Sequence, residues 1–216
     1  MNDEMFVLIE ASKLSMDDEF MQYQPNNDSE KKFKDLLEDV IKKGIADFWR
    51  PRMDPTLDEV ENICFKAGEK PAVGKSYNWW RENAKRFNPK RKSRLGTKAQ
   101  YVAFLGVLIK TLVTDGWTVD EAWDAVYNNS EKLGHYWNSE NAKCDFEPTG
   151  SRAIAGFYDL ANTYKVLEED EKTDGYWCVG GSYYDWSDSL PLADLSYHSR
   201  RLDYHDYGVG WIVLKC

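Results

Sequence analysis

The chain has 216 residues, of which 42% are hydrophobic and 30% are charged, a composition typical of folded globular proteins. Its formal net charge of −9 argues against a general nucleic-acid binder, which needs a positive field to offset phosphate repulsion. The apolar run at residues 6–9 is too short for a signal peptide or a membrane span. We therefore expect synthesis in the cytoplasm and no membrane insertion, with association with a virion left open.

An amphipathic helix is predicted near the start of the chain, after a short strand within residues 4–12. From Ser29 to Trp49 apolar side chains recur at steps of three and four residues, opposite charged ones. This stripe either covers the domain's own core or serves as an oligomerisation or virion-docking face. Its members are Phe33, Leu36, Leu37, Val40, Ile41, Ile45 and Phe48.

Further helices are predicted up to about residue 127. Two of them begin with the capping-box pattern, Thr56 with Glu59 and Thr118 with Glu121. In that pattern the two side chains satisfy the free amides of a first helical turn. The predicted helices span residues 56–66, 76–86 and 97–113, with a short one starting at 118.

Brief strands are predicted in the last third of the chain, where glycines and aromatic residues replace the helical stripes. Tyr176–Gly180 and Gly210–Leu214 have this pattern, each beside glycines. Trp177 and Trp211 are predicted to be core residues that flank this part of the fold. Helices first and strands last predict an α+β domain, with helices packed on a small antiparallel sheet.

The basic segment, residues 81–98, departs from the acidic balance because it holds eight Lys or Arg residues and one Glu. A solvated helix and loop face explains it most simply. Local contact with RNA, phosphate or an acidic partner is the alternative. Its bases are Arg81, Lys85, Arg86, Lys90, Arg91, Lys92, Arg94 and Lys98.

The cysteines are widely spaced and form neither a CxxC motif nor a Cys/His ligand pattern, so reduced thiols are expected. They are Cys64, Cys144, Cys178 and Cys216.

Four blocks occur in one order along the chain: Pro71-Ala-Val-Gly-Lys-Ser-Tyr-Asn-Trp-Trp, Arg94-Leu-Gly-Thr-Lys-Ala-Gln-Tyr, Gly156-Phe-Tyr-Asp-Leu-Ala-Asn-Thr-Tyr-Lys-Val-Leu, and Val179-Gly-Gly-Ser-Tyr with Gly210-Trp-Ile-Val. Together they resemble the formylglycine-generating-enzyme/sulfatase-modifying-factor branch of the C-type lectin fold. The resemblance implies a C-type-lectin-like domain at residues 48–216. Residues 1–47 are then an N-terminal strand-helix extension.

The sequence departs from that family where its catalysis takes place. The family's enzymes hold copper with a cysteine pair shortly after Gly-Gly-Ser, since soft thiolates suit that metal. No cysteine occurs here between Ser182 and Lys215. We therefore expect a non-enzymatic protein without a cofactor, and a degenerate or divergent enzyme of this type is the alternative.

The tyrosine-rich segment, residues 183–207, contains no Lys and no Glu, although both are common elsewhere in the chain. Its Tyr, Trp, Ser, Asp and Arg residues resemble an antibody paratope, where aromatics supply contact area and small polar residues supply adaptable hydrogen bonds. We therefore predict a ligand-binding surface there. Its candidate residues are Tyr183, Tyr184, Trp186, Ser187, Ser189, Asp194, Ser196, Tyr197, His198, Ser199, Arg200, Arg201, Asp203, Tyr204, His205, Asp206 and Tyr207.

The residue types of this segment also fit a genetic mechanism. Tyr, Ser, Asp, His, Arg, Leu, Pro and Ala are all reachable from an Asn codon by changing its adenines. The chain resembles variable proteins of diversity-generating retroelements from bacterial phages and integrated elements of gut Firmicutes. That resemblance implies a hypervariable region at about residues 180–214 and an unknown ligand, a protein or cell-surface component.

Two other interpretations of the tyrosine-rich segment remain. In the first interpretation, the aromatic rings of the segment are buried beneath a long connecting loop. In the second, His198 and His205 bind a metal with Asp203 and Asp206, but their spacing is not that of regular ligands. Randomisation that permits His is a simpler source of the two histidines, so no metal site is predicted.

Overall fold

A computed structural model describes residues 5–58, 62–66, 72, 74–128, 130–133, 154–157, 165–167, 176–179, 192–193, 195–198, 205–206 and 209–216. Helices and short strands are mixed in this part of the chain, as in an α+β protein. Its four described helices are α1 (Asp28–Lys43), α2 (Tyr77–Asn83), α3 (Lys98–Thr114) and α4 (Val119–Tyr127).

The described strands are short, and most of their pairings are antiparallel. They are β1 (Phe6–Ile9), β2 (Phe48–Pro51), β3 (Thr56–Leu57), β4 (Ile63–Cys64), β5 (Lys75–Ser76), β6 (Arg94–Leu95), β7 (Lys165–Val166), β8 (Tyr176–Val179), β9 (Leu195–His198), β10 (His205–Asp206), β11 (Val209–Gly210) and β12 (Ile212–Lys215).

Two four-stranded sheets organise these strands. The first has the order β1-β2-β12-β6, so the earliest and latest described strands lie in one antiparallel sheet. The second has the order β11-β7-β8-β9, in which the β11–β7 pair is parallel. Strand β10 pairs with β5, and β3 pairs with β4.

Helix α1 begins and ends at residues that satisfy its terminal backbone groups. Asn27 Oδ1 accepts the Glu30 amide at 2.9 Å, and Gly44 terminates the helix in the left-handed conformation (φ 66°). The predicted extension to Trp49 is therefore wrong, because Phe48 and Trp49 belong to β2.

The apolar face of α1 covers the protein's own core, as the first of the two interpretations predicted. Phe33, Leu37 and Val40 are buried, and Leu37 packs against α3. A Cβ atom at Gly106 of α3 would lie 2.7 Å from Leu37 Cδ1, so the glycine permits this close approach.

The predicted helix at residues 56–66 is also wrong. This stretch forms the β3–β4 pair instead, with Thr56 opposite Cys64. The Thr56 hydroxyl donates to the Cys64 carbonyl at 3.3 Å and so does not cap a helix. Asp58 Oδ1 accepts the Asn62 amide at 2.6 Å within the connection between the strands.

The other predicted helices are confirmed as α2, α3 and α4. Capping boxes begin α3, at Thr97 with Gln100, and α4, at Thr118 with Glu121. Helix α3 is the centre of the larger hydrophobic core. Its buried members are Tyr101, Val102, Ala103, Phe104, Leu105, Gly106, Leu108, Ile109 and Leu112.

Residues before β2 share this core with later ones. Ile9 and Phe20 are buried in the same cluster as Leu105 and Trp123. The Trp123 indole donates from Nε1 to the Phe20 carbonyl at 2.8 Å. The described part of residues 1–47 is thus continuous in packing with the described part of residues 48–216.

Candidate functional site: the tyrosine-rich segment and its anchors

The structure describes the backbone of five predicted binding residues. Ser196, Tyr197 and His198 lie in β9, and His205 and Asp206 form β10. The others lie outside the described residues: Tyr183, Tyr184, Trp186, Ser187, Ser189, Asp194, Ser199, Arg200, Arg201, Asp203, Tyr204 and Tyr207.

Strand β9 attaches part of the tyrosine-rich segment to the second sheet. It runs antiparallel to β8, with Tyr197 opposite Trp177 and Leu195 opposite Val179. Val179 is fully buried and Leu195 packs against the larger core. The register of three predicted binding residues is therefore set by pairing with a strand whose end is fixed in the core.

A buried turn at Leu192 and Ala193 attaches the segment a second time. The Tyr101 hydroxyl donates to the Leu192 carbonyl at 2.9 Å, and the Ala193 amide donates to the Val126 carbonyl at 3.2 Å. Both residues are at most 4% exposed. Burial raises the pKa of Tyr101, which keeps its hydroxyl protonated and able to donate.

This turn was not identified from the sequence. The signal for it was the apolar run at residues 190–193, the longest in a segment otherwise dominated by Tyr, Ser and Asp. Such a run favours burial over display. It separates the predicted binding residues into groups before and after a fixed point.

Strand β10 attaches the segment a third time, at the start of α2. His205 pairs with Ser76 and Asp206 with Lys75. Ser76 is also the N-cap of α2, since its Oγ accepts the Trp79 amide at 3.2 Å. The backbone at His205 thus runs beside a residue that helix formation itself fixes.

The chain then returns to the core through β11 and β12. Val209 is fully buried, and a Cβ atom at Gly210 would overlap the ring of Trp80. Trp211 is 2% exposed and packs edge-on against Phe48 and Tyr101. The prediction that Trp211 is a core residue is confirmed.

Arg50 lies inside the same aromatic cluster. Its guanidinium carbon is 4.4 Å from the centroid of Phe104 and 4.5 Å from that of Phe157, a cation–π arrangement. Burial lowers the pKa of Arg50 to about 10, opposed by the Asp54 carboxylate, so the side chain remains cationic at neutral pH. Its backbone lies in β2, at the centre of the first sheet. Arg50 therefore packs in the same buried aromatic cluster as Trp211, whose ring centroid is 5.9 Å from its guanidinium carbon.

Trp177 is half-buried and packs against the larger core, with the Lys98 ammonium 3.9 Å above its ring centroid. Lys98 therefore contacts the strand beside β9. Arg94, by contrast, donates to the Leu95 carbonyl and to Gln100 Oε1. Within the basic segment, Lys98 thus contacts an aromatic ring of β8, whereas Arg94 is hydrogen-bonded to residues next to it in the chain.

His198 and His205, the two histidines considered as metal ligands, lie in strands of different sheets. Asp203 is outside the described residues. Among the residues that the structure describes, no group of three or more His, Cys, Asp or Glu side chains is arranged to hold a metal ion. The thiols of Cys64 and Cys216 are free, Cys178 lies in β8, and Cys144 is not described.

No described helix is both long and apolar enough to cross a bilayer. Comparisons with protein-family models, with curated proteins and with solved structures find no match to this chain. The arguments for a function therefore come from its own residues and contacts.

Proposed function

We propose that the protein is a non-enzymatic binding protein that presents the tyrosine-rich segment to a macromolecular ligand. The observation that carries the proposal is the buried turn at Leu192 and Ala193, held by Tyr101 and Val126. It joins the segment to the core midway, and neither turn residue is among the predicted binding residues. Fixed points of this kind reduce the entropy that loops lose when they bind.

The composition between these fixed points supports recognition by direct contact. Tyr and Trp provide large contact areas with few rotatable bonds, and Ser, Asp and Arg provide hydrogen bonds and charge. A protein or cell-surface component is the ligand class that such a surface fits. No cofactor is needed for this activity.

The proposed scaffold is a C-type-lectin-like domain of the formylglycine-generating-enzyme type. In support, each block behind that resemblance supplies a buried residue: Trp80, Tyr101, Phe157 and Trp211. Trp211 contacts Tyr101 with ring centroids 5.2 Å apart, and Gly210 lies against Trp80. Contacts between blocks far apart in sequence are expected where the blocks specify a common fold.

The proposed source of diversity is a retroelement that changes adenines in the codons of the tyrosine-rich segment. This mechanism requires a scaffold that tolerates substitution in the segment and is fixed on both sides of it. Val179 before the segment and Val209 after it are both fully buried, which suits that requirement. Residues that a ligand contacts are then free to change.

The DNA around the coding sequence tests this proposal. We expect a near-copy of the repeat that encodes the last forty or so residues, differing from it at adenines, beside a reverse transcriptase gene. An intact locus with neither feature would overturn diversification by a retroelement. Copper-dependent oxygen consumption with a cysteine-containing peptide would instead favour the enzymatic alternative.

A further inference from the structure

A cleft of about 620 Å³ lies beside the end of β12, where this strand meets β2. Clefts of this volume suit small ligands or short peptide segments. Of the eight described residues that line it, four are cationic and one is an aspartate. The lining consists of Leu8, Asp47, Trp49, Lys90, Arg91, Lys92, Lys215 and Cys216.

Three of the four cations that line this cleft, the lysines, are available to an anion. No hydrogen bond or ion pair joins the ammonium groups of Lys90, Lys92 or Lys215 to another described residue. Asp47, the carboxylate of the lining, already accepts the Ser12 amide at 2.8 Å. The described side chains of the lining therefore carry four positive charges against one negative charge, an excess of positive charge.

The turn that carries three of these cations is held by buried polar residues. Asn88 is 8% exposed, and its backbone amide donates to Ser93 Oγ at 2.8 Å. The Ser93 hydroxyl in turn donates to the Ala84 carbonyl at 2.7 Å. Asn88 Oδ1 accepts the Arg91 amide at 3.2 Å. The backbone beneath the cations is therefore positioned before any ligand binds, which lowers the entropy lost on binding.

Lys92 at the end of the turn has φ 48°, a left-handed conformation that side-chain-bearing residues seldom adopt. A glycine would relieve this conformation and lose the cation. Lys92 thus places a cation at a position where the backbone conformation favours glycine.

An apolar floor lies beside the positive charge. Trp49 is half-buried in β2, and the Arg91 guanidinium carbon is 5.2 Å from its ring centroid. Leu8 of β1 lines the same cleft. A ligand that combines carboxylates with an apolar or aromatic side chain would match both parts of the lining.

None of the described lining residues of the cleft belongs to the tyrosine-rich segment. That segment re-enters the scaffold at Val209, ahead of the first residue of β12, whereas the cleft is lined by Lys215 at the last residue of the strand. Ile212 and Lys215 are separated by roughly 10 Å at the rise of an extended strand. The cleft therefore lies at the opposite end of β12 from Val209, where the chain returns to the core after the segment.

We propose that this cleft binds an acidic peptide segment of a partner protein, and that this segment contains an aromatic residue. Charge decides between this occupant and a nucleic acid. Outside the basic segment the chain has 36 acidic and 20 basic residues, so the net charge of the rest of the protein repels a long polyanion. A short acidic segment ends within the cleft.

Binding of a synthetic octapeptide with six glutamates and two central phenylalanines to the full chain tests the proposal by fluorescence anisotropy. We expect saturable binding that weakens with added salt, and no binding of the same peptide with Gln in place of Glu. The double variant K90E/K92E should weaken binding at least about tenfold, because two attractive charges become repulsive.

K85E/R86E is the matched control, since it reverses two exposed charges of the same basic segment that do not line the cleft. Binding to this variant should stay within about twofold of the native value. The neutral variant K90Q/K92Q should also weaken binding of the peptide. It provides a second measurement in case K90E/K92E does not fold.

Three results would overturn the proposal. The first is failure of the acidic peptide to bind. The second is an equal loss of affinity for the peptide in K90E/K92E and K85E/R86E. The third is tighter binding of an eight-nucleotide RNA than of the peptide.

Discussion

Glu30 is a buried carboxylate whose four hydrogen bonds connect three parts of the fold. Its oxygens accept from the Tyr23 hydroxyl at 2.8 Å, the Asn26 amide at 2.7 Å, and the side-chain amides of Asn27 and Asn128. Burial alone would raise the pKa of Glu30, but these donors outweigh it and hold the pKa below its usual value. The charged carboxylate therefore stabilises the folded state.

Glu30→Gln should lower the free energy of unfolding at pH 7 by about 2 kcal/mol, because charge-assisted hydrogen bonds are lost. Since the folded pKa is depressed, the contribution of Glu30 is present above the usual pKa of 4.5 and is lost as the pH falls through the folded value. The free energy of unfolding of the variant should therefore fall less between pH 7 and pH 3 than that of the native protein. Urea unfolding between pH 7 and pH 3 measures both effects.

Asp39→Asn is the control for that series. This carboxylate lies on the exposed face of α1 and pairs with Lys43 at 2.6 Å. Exposed pairs contribute about 0–1 kcal/mol, so its replacement should change stability little. An equal loss in both variants would contradict the role assigned to the Glu30 network.

At the scale of elements, the packing of β1 and α1 makes them part of one core with the later helices. β1 pairs with β2 from Phe6 to Ile9, and α1 buries Phe33 and Leu37 against that core. Burial of one large apolar side chain contributes about 2 kcal/mol, and a whole domain is stable by only about 5–15 kcal/mol. Few such side chains can be lost together.

Deletion of residues 1–47 should therefore abolish cooperative unfolding. We expect the shortened chain to expose apolar surface and to give no single thermal transition in circular dichroism. A cooperative transition close to that of the full chain would show that residues 48–216 fold independently, as expected for a separable extension.

For the whole molecule, the central relation is between a fixed scaffold and the tyrosine-rich segment. The scaffold holds the segment through β9, the buried turn at Leu192 and Ala193, and β10. If the proposed function is right, folding depends on these attachments and ligand binding on the residues between them. The two groups of residues should then respond differently to substitution.

Simultaneous replacement of Ser199, Arg200, Arg201, Asp203 and Tyr204 with alanine should change the free energy of unfolding by less than about 1 kcal/mol. Leu192→Ala, the control in the same segment, should lower it by about 3 kcal/mol because a buried leucine leaves a cavity. Chemical denaturation compares the two variants. A larger loss in the five-residue variant would indicate that these residues support the fold and are not reserved for a ligand.

Local patterns allowed α2, α3 and α4 to be predicted from the sequence, since periodicity and caps such as Thr118 with Glu121 act within one or two turns. The α+β class was predicted from helices first and strands last, although in the structure β1 to β6 all precede α3. The same reasoning failed at Thr56, where an identical capping pattern lies in a strand pair with Cys64. A cap promotes a helix only when the following residues have no better partner.

The sequence by itself determined the helical core, the composition of the tyrosine-rich segment and the concentration of positive charge at residues 81–98. Only the tertiary structure decided where α1 gives way to β2, which turn fixes the segment, and which cations share a cleft. Each of these depends on a partner distant in the chain: Phe48 pairs with Lys215, Tyr101 binds Leu192, and Arg91 lies over Trp49. Contacts between distant residues leave no periodic pattern along the chain, because what fixes them is the packing of the whole fold.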